Sequence, residues 1–121
     1  EANSYQGTSI IIAYCHCISH GYNLTLGPAQ QKAAVDSGYW PLYRYDPRKV
    51  ALGENPFKLD SRDPKIPVSE YMKVENRFKM LQTFNPERAA MLNAEEQEFI
   101  NSRWAKYKYL AERHLTNKAG E

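Results

Sequence analysis

Two runs of residues limit what this chain can fold into more than anything else in it. The first is Ile10-Ile11-Ile12-Ala13-Tyr14-Cys15-His16-Cys17, and the second is Ser37-Gly38-Tyr39-Trp40-Pro41-Leu42-Tyr43-Arg44-Tyr45-Asp46-Pro47. Three consecutive β-branched isoleucines are the pattern of a strand covered on both faces, as in a parallel sheet. A strand is therefore predicted over Ser9 to Cys17. Gly27-Pro28 opens a helix with proline in its first position, and Gly38 suits a left-handed C-terminal cap. Trp40 to Tyr45 then reads as a second strand, stopped by Asp46-Pro47. A parallel return needs a right-handed crossover, and the intervening length is adequate for one. Such a β-α-β unit needs more sheet than 121 residues supply here, which points to a piece of a larger protein.

Composition narrows the classes. The length allows one domain at most, on the rough scale of about 100–200 residues per domain. A net charge of +2 with 25% charged residues makes no electrostatic case for nucleic acid. A content of 42% hydrophobic and 12% aromatic residues can bury a core, which argues against disorder throughout. No run approaches the roughly 18 apolar residues of a membrane span. The chain opens on Glu1 without a charged-then-apolar leader, so an internal fragment or processed product is expected. Cys15 and Cys17, one residue apart, cannot staple distant segments, which excludes a disulfide scaffold and fits reduced thiols in a cytoplasmic compartment.

Beyond the second strand the chain divides further. Residues 1–47 form the β-α-β piece, 48–67 an extended proline-rich arm, and 68–121 a helical tail. Pro47, Pro56, Pro64 and Pro67 forbid continuous helix or central strand between Asp46 and Pro67. A long irregular stretch rarely sits loose in a compact domain, so this arm is expected to lie over a neighbouring domain or protomer, with Phe57, Leu59 and Ile66 as anchors. Ser69 starts a helix whose apolar face is Tyr71, Val74, Phe78 and Leu81. Asn85 caps the next, with Pro86 first and Glu87 in the opening turn. Asn93 with Glu96 resembles a fresh capping pair, so a bend is expected there, followed by a stripe of Phe99, Ile100, Trp104, Tyr107 and Ala111. Lys106, Lys108 and Arg113 are balanced by Glu95, Glu96, Glu98 and Glu112, so this helix reads as solvated on one side and packed on the other.

Three site chemistries compete for the polar residues. Cys15, His16, Cys17 and His20 invite a zinc reading, but Cys-x-Cys departs from the spacing of tetrahedral zinc sites. On an extended chain both thiols share one face while His16 points the other way. Nucleophilic catalysis would need an oriented histidine base beside a thiol; His16 and His20 are too local, and His114 too remote in sequence. The aromatic run Tyr39, Trp40, Tyr43 and Tyr45 with Arg44 and Arg48 imitates a base-stacking platform, yet alternation along a strand explains it through packing. For Cys15, a buried structural thiol is the ordinary expectation.

The same residues carry a family resemblance. Ile11-Ile12-Ala13-Tyr14-x-His16-Cys17-Ile18-x-His20-Gly21 and Gln30-Gln31-Lys32-x-Ala34-Val35-x-Ser37 through Arg48 resemble the C-terminal end of pyruvate:ferredoxin (flavodoxin) oxidoreductases. Gly53-x-Asn55-Pro56-Phe57-x-Leu59-Asp60-Ser61, Asn76-Arg77-Phe78 and Asn85-Pro86-Glu87 continue the likeness, which weakens beyond Ala94. The resemblance implies the end of a thiamine-diphosphate domain, in an enzyme that decarboxylates pyruvate oxidatively, passes the acyl unit to coenzyme A, and sends electrons through iron–sulfur clusters to ferredoxin or flavodoxin. It implies that Cys17 ligates the 4Fe–4S cluster nearest the thiamine, with the remaining thiolates supplied by an earlier domain. The motif that holds magnesium and diphosphate, and the pyruvate and coenzyme A segments, are not in this sequence, so the chain alone is expected to be inactive. The implied partners are the remaining domains and a second protomer of a homodimer. The implied location is the cytoplasm, or an organelle in a eukaryote. Two other classes remain open at this stage: a stand-alone interaction or assembly module, and a small Cys/His metal-binding protein.

Overall fold

Four α-helices, four short 3₁₀ segments and one small hairpin make up residues 1–114, the part that this computed structural model describes. The last seven positions of the predicted tail, 115–121, lie outside the described residues.

Local signals explain most helix ends. Helix α1 runs Gly27–Asp36 with Pro28 in its first turn, where a missing N–H costs nothing. It ends as Gly38 turns left-handed at φ 75°. The chain then folds back so that the Trp40 N–H donates to the Ala34 carbonyl at 2.9 Å. Helix α2, Val68–Met72, is capped from outside: its first N–H donates to Gln97 Oε1 at 2.9 Å. Helix α3 spans Asn76–Phe84, and Asn85 then opens α4, Pro86–Glu112, by accepting the Arg88 N–H at 3.0 Å. At the other end of α4 the Asn55 amide donates to the Leu110 and Ala111 carbonyls at 2.7 and 3.0 Å, covering acceptors that a helix leaves without intrahelical partners.

The sheet is antiparallel. Strands β1, Tyr43–Tyr45, and β2, Phe57–Leu59, pair in the register Tyr43↔Leu59, Arg44↔Lys58, Tyr45↔Phe57. The hairpin docks on α4 through a cluster of Tyr43, Phe57 and Tyr107, whose ring centroids are 5.3–5.9 Å apart. The core proper is Ala34, Val68, Tyr71 and Ile100, one or two residues from each of α1, α2 and α4, with Tyr14, Tyr39, Trp40 and Phe78 packed around it. Tyr39 stacks on Tyr71 at 4.6 Å, and Arg103 ties α4 to the Gly38 and Tyr39 carbonyls at 2.9 and 2.7 Å.

This is a mixture of helix with a small sheet, in keeping with an α/β piece, but several sequence-based expectations change. Residues Ser9 to Cys17 form no strand here: their backbone has no sheet partner, and Ile10, Ile11 and Ile12 are 80%, 80% and 72% exposed. A run suited to burial on both faces finds no strand within this chain to cover it, so the parallel pair with Trp40–Tyr45 is not formed. The latter strand shortens to Tyr43–Tyr45 and pairs with the proline-rich segment instead. That segment is more structured than expected, with a 3₁₀ helix over Pro47–Leu52 and strand β2, and it folds back onto its own chain. Its prolines stand outside β2, where they remove no ladder hydrogen bond. The single helix expected from Ser69 breaks between Met72 and Asn76, where Glu75 takes extended backbone at φ −92°, ψ 128°. No bend follows Asn93: α4 continues because Glu87 to Glu112 contains neither glycine nor proline, and one internal asparagine costs a helix only tenths of a kcal/mol, on the order of 0.7 at most.

Candidate functional site

Cys17 sits on a loop anchored at both ends by other elements. Its own backbone is extended, φ −130° and ψ 141°, and it caps a 3₁₀ turn, Ile18–His20, in which the His20 N–H donates to the Cys17 carbonyl at 3.0 Å. Gly21 ends the turn in left-handed geometry at φ 70°. Upstream, the Tyr14 and Tyr71 hydroxyls share a hydrogen bond of 2.8 Å, and the Tyr14 ring lies 5.4 Å from Trp40. Downstream, the Gly21 carbonyl accepts the Asn76 N–H at 3.2 Å. Between them the His16 imidazole lies against Gly27 so closely that a Cβ there would come 2.7 Å from His16 Nε2.

The thiols differ. Both are exposed and free. Cys15 Sγ donates to the His16 carbonyl at 3.3 Å, so the expectation of a buried Cys15 is corrected: the ribbon that carries it is uncovered. Cys17 is held below the usual thiol range, because hydrogen bonds from the Ser19 backbone and hydroxyl stabilise its thiolate. The thiolate is the form that binds iron. Close by, burial raises the Tyr22 hydroxyl above its ordinary range, with lesser contributions from Glu75, Tyr14 and both cysteines. Tyr22 Oη and His16 Nδ1 are buried without hydrogen-bond partners. Orphaned buried atoms carry a penalty of about 1–3 kcal/mol each, and next to an exposed free cysteine they fit a site completed by atoms from outside this chain.

Beneath the loop lies a polar network that periodicity did not reveal. Glu75 is 0% exposed, and its carboxylate accepts from Gln30 Nε2 at 2.9 Å and from Arg77 Nε. His20 Nδ1 stands 3.4 Å from the same carboxylate, near enough for an ion pair but not aligned for a hydrogen bond. Gln30, 2% exposed, also donates to the Tyr71 carbonyl at 2.8 Å, and Arg77 Nη2 reaches the Tyr71 hydroxyl at 3.2 Å. Partial burial is the largest single influence and works against the Arg77 cation. The bond to Glu75, that carboxylate's charge and the nearby Tyr71 and Tyr39 together outweigh it and hold the pKa above normal. Gln30 and Arg77 fell inside the matched stretches; Tyr71 was read only as part of an apolar face, and no sequence signal marked Glu75 as buried.

The zinc and nucleophile readings find no geometry. Among the described residues no three His, Cys, Asp or Glu side chains gather where they could hold a metal ion. Cys15, His16, Cys17 and His20 turn to different neighbours: a carbonyl, Gly27, Ser19 and Glu75. One exposed cysteine on a fixed loop, its thiol pKa lowered, can supply one ligand to a cluster held mainly elsewhere. A second feature flanks it. An open cleft of about 850 Å³ separates Ile10–Ile12 from Trp40, Leu42, Arg44 and Tyr45.

No protein-family model matches the chain. Comparison with individual proteins nevertheless points to one class, the pyruvate oxidoreductases, along almost the whole sequence. The chain is 58% identical over 116 residues to the pyruvate-flavodoxin oxidoreductase of Trichormus variabilis, covering 96% of this chain and 10% of that protein. It is 51% identical over 111 residues to the pyruvate-flavodoxin oxidoreductase of Rhodospirillum rubrum, covering 92% of this chain and 9% of that protein. With the pyruvate:ferredoxin oxidoreductase of Moorella thermoacetica it shares 43% identity over 112 residues, 93% of this chain and 10% of the relative. The chain thus spans about a tenth of the length of these relatives and is similar to one segment of each.

Proposed function

We propose that this chain is the C-terminal portion of a pyruvate:ferredoxin or pyruvate:flavodoxin oxidoreductase, the part that closes the thiamine-diphosphate domain. Its chemical contribution is the Cys17 thiolate, donated to the 4Fe–4S cluster nearest the thiamine. When bound, that cluster carries away the electrons released as pyruvate is decarboxylated and its acyl unit passes to coenzyme A. This chain's residues do the holding: Ser19 hydrogen bonds lower the Cys17 pKa and so favour its thiolate, and the Tyr14–Tyr71 and Gly21–Asn76 hydrogen bonds fix both ends of the loop. Thiamine diphosphate, Mg²⁺ and the other cluster ligands belong to the rest of the polypeptide, so the isolated chain is inactive.

The observation that carries this reading is the 58% identity over 96% of the chain, coupled with a free, exposed Cys17 on a fixed loop. The exposed isoleucines and the cleft beside them fit contacts with the remaining domains, with ribbon 9–17 taking its place in a parallel sheet that they complete. Segment 48–67 and the helical tail then serve domain and homodimer contacts. No described helix is long and apolar enough to cross a membrane. The test is Cys17→Ala in the complete oxidoreductase, purified without oxygen. Iron and sulfide should fall by one cluster's worth, and one cluster's electron paramagnetic resonance signal should vanish. Full retention of both would reject the ligand assignment.

A further inference from the structure

The buried carboxylate of Glu75 has no part in the reading above, yet it stands where the supports of the Cys17 loop meet. We propose that Glu75 is a positioning residue for the Cys17 thiolate, acting through His20, Asn76 and Tyr71 rather than by touching the cluster. This rests on Cys17 being a ligand.

Three observations converge on it. First, the chain leaves the ribbon at Cys17 into the Ile18–His20 turn and its left-handed Gly21 cap, so the placement of this end of the ribbon depends on side-chain and capping contacts. Second, those contacts lead to one place. The Gly21 carbonyl is held by the N–H of Asn76, the residue next to Glu75, and His20 faces the Glu75 carboxylate at 3.4 Å. The Tyr14 anchor ends on Tyr71, which is bound in turn by Gln30 and Arg77, the two groups that also grip Glu75. Third, Glu75 takes the extended conformation that separates α2 from α3, so its carboxylate sets the angle at which both elements present their loop contacts. A fully buried carboxylate is costly unless each oxygen is satisfied, and here both are. Gln30 holds Oε1 from α1 and Arg77 holds Oε2 from α3, while Gln30 also bonds the Tyr71 carbonyl of α2, so the three helices are fixed around the loop as one unit.

A carboxylate that only ties helices together would leave the cluster's signature unchanged once the protein folds. One that positions the ligand would move it. The test uses the complete oxidoreductase with Cys17→Ala, Glu75→Ala, Glu75→Gln and His20→Phe, each checked for iron content, thermal midpoint, and the resonance spectrum and reduction potential of every cluster. Cys17→Ala should lose one cluster signal. Glu75→Ala and His20→Phe should keep that cluster but shift its resonance and potential, leaving the other clusters as they were. Glu75→Gln, which keeps the shape and one acceptor oxygen, should restore most of the shift. Should Glu75→Ala not fold, His20→Phe decides the matter, since it leaves the Gln30 and Arg77 bonds intact. Unchanged cluster signals in His20→Phe and in folded Glu75→Ala, with one signal lost in Cys17→Ala, would overturn the positioning role and spare the ligand assignment. A shift in Glu75→Ala that Glu75→Gln fails to lessen would mean a charge effect instead, and would also overturn it. Retention of every signal in Cys17→Ala would remove the ligand assignment itself.

Discussion

Tyr71 is fully buried at the centre of the core, with its hydroxyl bonded to Tyr14 and Arg77. Burial first, then the Tyr14 bond, raises its pKa well above the ordinary tyrosine range. The unfolded chain releases this proton near pH 10, at about the free-tyrosine value. The fold keeps the proton to higher pH, so the stabilisation is complete below pH 10 or so and declines as pH rises beyond it. Unfolding by urea, followed by tryptophan fluorescence between about pH 8 and 11, should show stability falling above the tyrosine range, and Tyr71→Phe should flatten that fall. Gly38 offers a backbone counterpart. At φ 75° it has no room for a side chain, since a Cβ would meet Pro64 Cγ at 3.0 Å and Ile100 Cγ2 at 3.1 Å. Gly38→Ala should cost about 1–2 kcal/mol in the same assay. Gly38 could be read from the sequence because a glycine after a helical stretch has one common use. Glu75 could not: a glutamate at a helix start is ordinarily exposed, and its burial depends on Gln30 and Arg77 arriving from other elements.

Helix boundaries with chemical punctuation were legible, and those set by tertiary contacts were not. Asn85-Pro86-Glu87 announced the start of α4, and the Asn85 side chain does accept the Arg88 N–H. Asn85→Ala should therefore lose about 1 kcal/mol by chemical denaturation. The break between α2 and α3 carries no glycine or proline; it coincides with the burial of Glu75, whose carboxylate is held by Gln30 and Arg77. Val74, placed by period on an apolar helical face, falls in that break. The stripe on α4 was read correctly at Ile100 and Trp104, which are buried, but not at Phe99, which is 57% exposed. Ile100, 1% exposed, meets α1 and α2 in the core, and Ile100→Ala should destabilise the chain by about 2–5 kcal/mol, read as a lowered denaturation midpoint. The β1–β2 pairing was missed because proline density suggested irregular structure, although β2 itself contains no proline.

The whole chain matches about a tenth of the length of its relatives, and its surface fits the proposed place within a larger enzyme. Ile10, Ile11 and Ile12 stand exposed beside an open cleft, while an independent core is built around Tyr71 and Ile100. The need for additional sheet was legible in the isoleucine run, but the strand it suggested cannot form without a partner from elsewhere. Amide exchange should therefore be fast across residues 10–12 in the isolated chain and strongly slowed in the complete oxidoreductase. Equal exchange in both would mean that this ribbon joins no sheet. Cys17 was singled out by its match to a motif, and its loop, thiolate character and supports came only from the fold. Crystals of the complete enzyme, with anomalous data collected at the iron edge, test that assignment most directly. An iron atom bonded to Cys17 Sγ, with Cys15 Sγ unbound, is the expected result; a cluster ligated wholly by other cysteines, with Cys17 Sγ facing solvent, would refute it.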